Sequence, residues 1–226
     1  MAAESPEITQ PEFLKFFEEV TDDSKSKEEV TAAYDKWSKN YEEIAKTFSP
    51  NRPIIGAKAF AAEFGNKNRD IKILDVGAGS GLAAEELVKL GFTNIDALEP
   101  CETLAKKALE KNIYKKWHKA YMCKERLPID DNVYDIIYSV GAFAPGHARE
   151  DALEELMRIL KPDGHVMIVT GEGYLVRSPM EKFEPRIAEL EKEGILIWKK
   201  RDIVPNYGAD EKGPINGLVL VLQKPL

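Results

Sequence analysis

The stretch Ile71–Pro100, IKILDVGAGSGLAAEELVKLGFTNIDALEP, restricts the fold more than any other part of the chain. Ile71 to Val76 is a short apolar run ending in an acid and a valine, the pattern of a strand buried on both faces of a parallel sheet. Glycines follow at 77, 79 and 81, so the strand runs into a turn that can adopt positive φ and let a ligand lie against the main chain. From Leu82 the apolar residues recur at Leu82, Ala83, Leu87 and Leu90, with Glu85 and Glu86 in the first turns and Gly91 just past the end. This spacing predicts a helix whose acids sit at the favourable end of its dipole. Asn94 to Leu98 reads as a second buried strand and delivers Glu99 to its carboxyl edge beside the glycine turn. A carboxylate in that position can accept both hydroxyls of a ribose, so the unit predicts a ribose-bearing ligand.

The glycine spacing narrows the ligand. A pyrophosphate seated on a helix N-terminus is served by G-x-G-x-x-G, whereas this chain has G-x-G-x-G with Leu82 where the last glycine would fall. A nicotinamide-dependent oxidoreductase would also place a helix between each pair of strands, and the pattern toward the end of the chain does not. DVGAGSG followed by LEP instead resembles motif I and the next acidic strand end of class I S-adenosylmethionine-dependent methyltransferases. The resemblance implies that Asp75 supports the loop and the cofactor's ammonium, that Gly77, Ala78, Gly79 and Gly81 line the cofactor, and that Glu99 binds its ribose. Leu82 and Pro100 are grouped with them. The plainer alternative is a buried strand and tight turn that hold no ligand.

At 226 residues the chain suits one α/β domain, divided here into an N-terminal helical cap over 1–50 and a core over 51–226. No apolar run approaches the roughly 20 residues of a membrane span. The opening MAAESPEITQ lacks the basic and apolar parts of a signal peptide, which makes a cytoplasmic protein the expectation. A net charge of −7 argues against nucleic acid as a partner, and Lys115, Lys116 and Lys119 read as a solvated helix end or loop. Cys101 and Cys123 form no C-x-x-C spacing, so free thiols are expected and no metal.

Ahead of the glycine unit, Pro11–Val20 is a helix candidate carrying Phe13, Phe16 and Phe17. Ser26 and Glu29 form a capping-box signal, behind which Val30, Tyr34, Trp37, Tyr41, Ile44 and Phe48 predict one long amphipathic helix. An aromatic stripe of this kind ordinarily packs on a core. YDKWSKNYEEIA also resembles the Y-D-x-W-x-x-x-Y element of small-molecule methyltransferases, whose N-terminal helix caps the cofactor pocket. That resemblance makes Tyr34 and Tyr41 cofactor or lid contacts and Trp37 a packing anchor. Asn51–Phe64, with Pro53 in its first turn and Gly65 at its end, is a further helix covering one face of the sheet.

Beyond the unit, Glu102–Lys111 is predicted helical and Trp117–Met122 a third strand. In the family the next region reads G-D-A-x-x-L-P followed by a strand that starts at F-D, and Leu127, Pro128, Tyr134 and Asp135 fit it. The chain departs where Cys123, after Met122, holds the position of the family's adenine-binding aspartate. The adenine amino group is then read by a backbone carbonyl or not at all, with the N–H groups of Lys124 or Glu125 available to the ring. Cys123 as a small buried hydrophobe is the alternative. Asp135–Ser139 is the fourth strand, and Ser139, Val140, Gly141 and Ala142 leave its carboxyl end, the edge at which ligands bind. By resemblance, Ser139–Gly141 lie beside the cofactor and Phe143–His147 at the substrate mouth. His147 is the one candidate catalytic residue, since a neutral imidazole there could take a proton from an acceptor. A helix-start or surface histidine is its alternative, and His118 and His165 read as structural.

Arg149–Leu160 is an amphipathic helix, and LKPDGHVMIVT is close to the L-K-P-G-G turn before the class's fifth strand, with Asp163 able to take a turn conformation. Met180–Glu193 is the next helix, ending at Gly194, and Ile195–Lys199 and Leu218–Gln223 are two strands expected to pair antiparallel. Thr21–Lys27 and Val204–Asn216 are the most loop-like segments. The expected fold is a three-layer Rossmann-like α/β methyltransferase fold: a seven-stranded, mostly parallel sheet with an antiparallel last strand, plus N-terminal capping helices. The resemblance covers about Val30–Lys224. The aromatic helix, the VGA after the fourth strand and the GLVLVLQK ending are most similar to the methyltransferase-like protein 27 family.

The activity so implied is transfer of the sulfonium methyl of S-adenosylmethionine to a small-molecule acceptor, leaving S-adenosylhomocysteine. Retention of either molecule without turnover is the alternative. Gly171–Ser178 and Val204–Asn216 are expected to build the acceptor pocket, with Tyr174, Arg177 and Tyr207 as candidates and Arg177 suited to a carboxylate or phosphate.

Overall fold

The computed structural model describes residues 8–175, 180–210 and 213–226. Three helices form the cap: α1 (Gln10–Thr21), α2 (Lys27–Trp37) and α3 (Tyr41–Phe48). The capping box is formed, the Glu29 N–H donating to Ser26 Oγ at 3.2 Å and the Ser26 N–H to Glu29 Oε2 at 2.8 Å. The expected single long helix is broken at residues 38–40. Ser38 Oγ donates to the Asp35 carbonyl at 2.7 Å, and Ser and Asn compete for backbone partners in this way, ending α2 before Asn40 precedes α3. The break lets the aromatic stripe turn a corner around Phe16, whose ring lies edge-on to Tyr34, Trp37 and Tyr41 at 5.8, 5.9 and 6.3 Å.

The core runs α4 (Asn51–Phe64), β1 (Ile73–Val76), α5 (Leu82–Lys89), β2 (Ile95–Leu98), α6 (Glu102–Glu110), β3 (Tyr114–His118), β4 (Tyr134–Val140), α7 (Leu153–Ile159), β5 (Leu160–Gly171), α8 (Phe183–Lys192), β6 (Ile197–Asp210) and β7 (Gly213–Gln223). The seven strands lie in the order β3-β2-β1-β4-β5-β7-β6, with β1 to β5 parallel and β7 antiparallel to both β5 and β6. This is the expected three-layer arrangement. Every residue of β1 and β2 is buried, as their apolar runs predict. Period-two alternation divides the side chains of the central strands: Leu74, Val76, Val166, Ile168, Leu220 and Leu222 pack toward α7 and α8, while Ile73, Met167, Val169 and Val221 pack toward α4 and α5.

Three further sequence expectations change. The third strand is Tyr114–His118 rather than Trp117–Met122; Tyr114 and His118 point inward while Lys115 and Lys116 are exposed on an edge strand, where lysines discourage edge-to-edge pairing. Most of the expected loop Val204–Asn216 lies in the β6–β7 hairpin. Its Pro205, Asn206 and Gly208 suggest a loop, but they sit in an irregularity where the register shifts between Val204 and Gly208 and Asn206 takes φ of 58°. The helix expected from Arg149 begins as a 3-10 turn over Glu150–Ala152 and becomes α7 only at Leu153. Asp163 does adopt the turn conformation, with φ of 65°.

Gly56 brings α4 against the sheet: a Cβ there would lie 2.3 Å from Tyr138 Oη and 2.7 Å from Val140 Cγ2. Replacing a helical glycine by alanine ordinarily stabilises by about 1 kcal/mol. At this position overpacking should win, and Gly56→Ala should lower the denaturant midpoint by the equivalent of about 1–3 kcal/mol. An unchanged or raised midpoint would mean that α4 moves off the sheet freely.

Candidate active site

β1, β2 and β4 are adjacent and parallel, so their carboxyl ends open at one edge of the sheet. The turn after β1 places Gly77, Gly79 and Gly81 at φ of 69°, 54° and 89°. Gly77 is required by close approach as well, because a Cβ would stand 2.2 Å from that of Ala142. Glu99, at the end of β2, accepts the Gly79 N–H through Oε2 and the Cys101 N–H through Oε1, both at 2.8 Å. The acid and the glycine turn are thus one hydrogen-bonded unit. Burial pushes the Glu99 carboxyl up to about 7, against the pull of the two N–H donors and with a further push from the Asp75 and Asp35 charges. Asp75, behind the turn, accepts the Tyr114 hydroxyl at 2.7 Å and is likewise pushed by burial to about 7.

The cap closes over this edge and leaves a cavity of about 220 Å³, several times the roughly 30 Å³ that a water molecule occupies. Of the residues expected at the site, Tyr34, Tyr41, Gly77, Ala78, Gly79, Leu82, Glu99, Pro100, Val140, Gly141 and His147 line it. Asp75, Gly81, Ser139, Cys123, Lys124 and Glu125 do not. Asp75 is turned to Tyr114, a Cβ on Gly81 would face Ile113, and Ser139 Oγ donates to the Val76 carbonyl at 3.0 Å, tying β4 to β1. Cys123 is buried with its thiol toward the Tyr121 carbonyl, whereas Lys124 and Glu125 are exposed. That wall is built instead by Ala120, Tyr121 and Met122, with Thr31 of α2 hydrogen-bonded to Tyr121 Oη at 2.9 Å. The early end of β3 releases these three residues from the sheet.

Tyr174 lines the cavity, Arg177 lies outside the described residues, and Tyr207 is buried with its hydroxyl donating to the Val169 carbonyl at 3.2 Å. Behind Tyr207 comes a residue that sequence reasoning missed. Arg52, in the first turn of α4, holds its guanidinium 5.1 Å from the Tyr207 ring, and its buried Nε has no hydrogen-bond partner. Among the described residues it has no ion pair, and it lines the cavity. The sequence signal was faint: a basic residue beside Pro53 in a helix start, where acids are favoured.

His147 Nδ1 lies 2.8 Å from the Pro145 carbonyl, which can only accept, so Nδ1 carries the proton. Nε2 then accepts from the Tyr34 hydroxyl at 2.6 Å. Burial pushes the imidazole down and the phenol well up, so both are neutral. Asp23, between α1 and α2, holds this loop in place by accepting the Gly146 N–H at 2.6 Å. Among the described residues no cluster of His, Cys, Asp or Glu is disposed to hold a metal, and no helix is long and apolar enough to cross a membrane.

A glycine turn after the first strand of such a sheet and an acid on its neighbour form the arrangement of class I S-adenosylmethionine-dependent methyltransferases, and the similarities that follow support that class, with S-adenosylmethionine as the cofactor. Residues 74–168 match the family model described as a methyltransferase domain. The chain is 25% identical over 169 residues to methyltransferase-like protein 27 of Homo sapiens, covering 73% of this chain and 69% of that protein. It is 30% identical over 104 residues to glycine/sarcosine/dimethylglycine N-methyltransferase of Actinopolyspora halophila, covering 43% of this chain and 18% of that one. Among solved structures, the TehB-like SAM-dependent methyltransferase of Corynebacterium glutamicum shares the fold, with a TM-score of 0.59 at 20% identity over 85% of this chain and 98% of that one.

The buried acids make stability depend on pH. Because the folded pKa of Asp75 is raised above its unfolded value near 4, the folded chain binds the extra proton, and this contribution falls as pH rises from about 4 to about 7. The histidines, buried or half-buried and pushed down by desolvation, act in the opposite sense, so the clean signal is a difference. Asp75→Asn should gain stability relative to wild type between pH 5 and about 7.5, by a few kcal/mol at most, in parallel denaturant titrations. A constant difference would mean that Asp75 ionises at its ordinary pKa.

Proposed function

We propose that this chain transfers the sulfonium methyl of S-adenosylmethionine to a small-molecule acceptor held beneath the cap. The observation that carries this is the Glu99 carboxylate locked to the Gly79 N–H at the cavity rim. The residues fit the cofactor. Glu99 keeps lone pairs for two ribose hydroxyls, and the turn from Gly77 to Gly79 offers main chain that a ligand can approach. Arg52, half-buried and with no ion pair among the described residues, meets the cofactor's carboxylate, and Tyr121 and Met122 take over from Cys123 as the adenine wall. When bound, the cofactor supplies a methyl group already activated for in-line displacement. The chain's contribution is alignment, which is worth up to about 7–11 kcal/mol in favourable cases. The closed cap supports a small acceptor, as does the relative whose name gives glycine, sarcosine and dimethylglycine as substrates.

Calorimetric titration with S-adenosylmethionine, S-adenosylhomocysteine and NAD tests this reading. The first two should bind and NAD should not. Glu99→Ala should abolish binding, and Arg52→Ala should weaken it by about 10- to 100-fold, the worth of one charged hydrogen bond. Hydroxyl donors favour the ionised form of Glu99, so binding should release a proton below pH 7 and tighten as pH rises to about 7. A preference for NAD, or full affinity in both variants, would refute the assignment.

A further inference from the structure

The acceptor end of the cavity has a composition of its own. Phe13, Phe16, Phe17 and Val20 of α1 form its wall, and Tyr174 lies across from them with its ring 6.4 Å from that of Phe17. Glu99 is the only acid among the described residues that line the cavity, and its remaining lone pairs are those assigned above to the cofactor's ribose. Arg52 and Lys27 also face the cavity. A cationic amine therefore meets cations and aromatic rings with no free carboxylate to pair with, and its burial would be costly. An apolar ring system is accommodated.

At this end lies the Tyr34–His147 pair. Tyr34 donates its only proton to His147 Nε2, which leaves the lone pairs of Tyr34 Oη to accept a proton from something in the cavity. His147 is fixed as an acceptor by its Nδ1–H bond to the Pro145 carbonyl. An amine needs no such relay, because its neutral form already presents a lone pair. A hydroxyl does.

From this geometry we infer that the acceptor is an aromatic or similarly apolar alcohol, and that Tyr34 with His147 removes its proton. The inference rests on the methyltransferase reading above. As the acceptor oxygen forms its bond to the methyl carbon, the carbon–sulfur bond breaks and its electron pair stays on sulfur, leaving a neutral thioether. The acceptor proton passes to Tyr34 Oη while the Tyr34 proton passes to His147 Nε2. The resulting imidazolium returns its proton to solvent when the cap opens. Tyr34 is the catalytic residue; His147, which acts through it, is a positioning residue.

The test uses the full chain with 2-naphthol, 2-naphthylmethylamine, an aliphatic amine that is cationic at neutral pH, and sarcosine as acceptors. S-adenosylhomocysteine binding is measured first by calorimetry; its absence would overturn the cofactor reading and this one with it. With S-adenosylhomocysteine bound, 2-naphthol should bind and sarcosine should not, and with S-adenosylmethionine only 2-naphthol should be methylated. Tyr34→Phe and His147→Asn should keep S-adenosylhomocysteine and 2-naphthol binding but lose about 100-fold or more in kcat. Their rates should rise with pH, following the ionisation of the naphthol itself, whereas the wild-type rate should level off once His147 is neutral. A nitro-substituted naphthol, already ionised at neutral pH, should restore much of the lost rate. Failure of 2-naphthol to bind beside S-adenosylhomocysteine, methylation of sarcosine or the amine at a comparable rate, or equal losses on both naphthols would overturn the inference.

Discussion

The hydrogen bond from the Gly79 N–H to Glu99 joins the two features that the site depends on, a turn of positive-φ glycines and an acid on the next strand. Neither segment can shift without the other. The bond exists because β1 and β2 pair in parallel with Val76 opposite Leu98, so the two strands end level and the segments leaving them must meet. β4 pairs on the other side of β1 and brings Val140–Ala142 to the same edge, close enough that Gly77 has no room for a side chain. Three strand ends in register thus produce a binding edge from backbone geometry, and the side chains decide what it binds.

The part of the chain governed by short-range rules was legible in the sequence. Buried parallel strands read as unbroken apolar runs, and the glycine turn, the acid after the second strand and the Asp163 turn each arise from one local requirement. The features that were not legible depended on partners distant in the chain. The break between α2 and α3 comes from Ser38 and from Lys107 of α6, whose ammonium bonds the Ser38 carbonyl. The end of β3 at His118 is set by pairing with β2, and that choice moved the cavity wall from Cys123 to Tyr121 and Met122. Arg52 was invisible because a helix-start arginine is ordinarily solvated, and it is a strand far along the chain that lays Tyr207 against its guanidinium.

The cap is fastened differently from the core. Its own helices share an aromatic cluster, but several of its ties to the rest of the protein are polar. Asp35 accepts from Cys101 and Thr103, Glu42 pairs with Lys111 at 2.7 Å, and Asp23 holds the Gly146 N–H. Partly exposed contacts of this kind contribute little individually and exchange readily with water. They suit a cover that must part from the sheet edge for ligands to pass, while the sheet beneath stays fixed by apolar burial.

Tyr207 gives the construction of the site a direction in time. The tyrosine that supports the Arg52 guanidinium belongs to β6, which joins the sheet only through β7, and β7 is the last strand of the chain. On the ribosome, the glycine turn and Glu99 emerge well before β6 and β7. The cation facing them stays unsupported until β7 has paired with β5. The pocket wall that carries Arg52 is therefore complete only once β7 has joined the sheet.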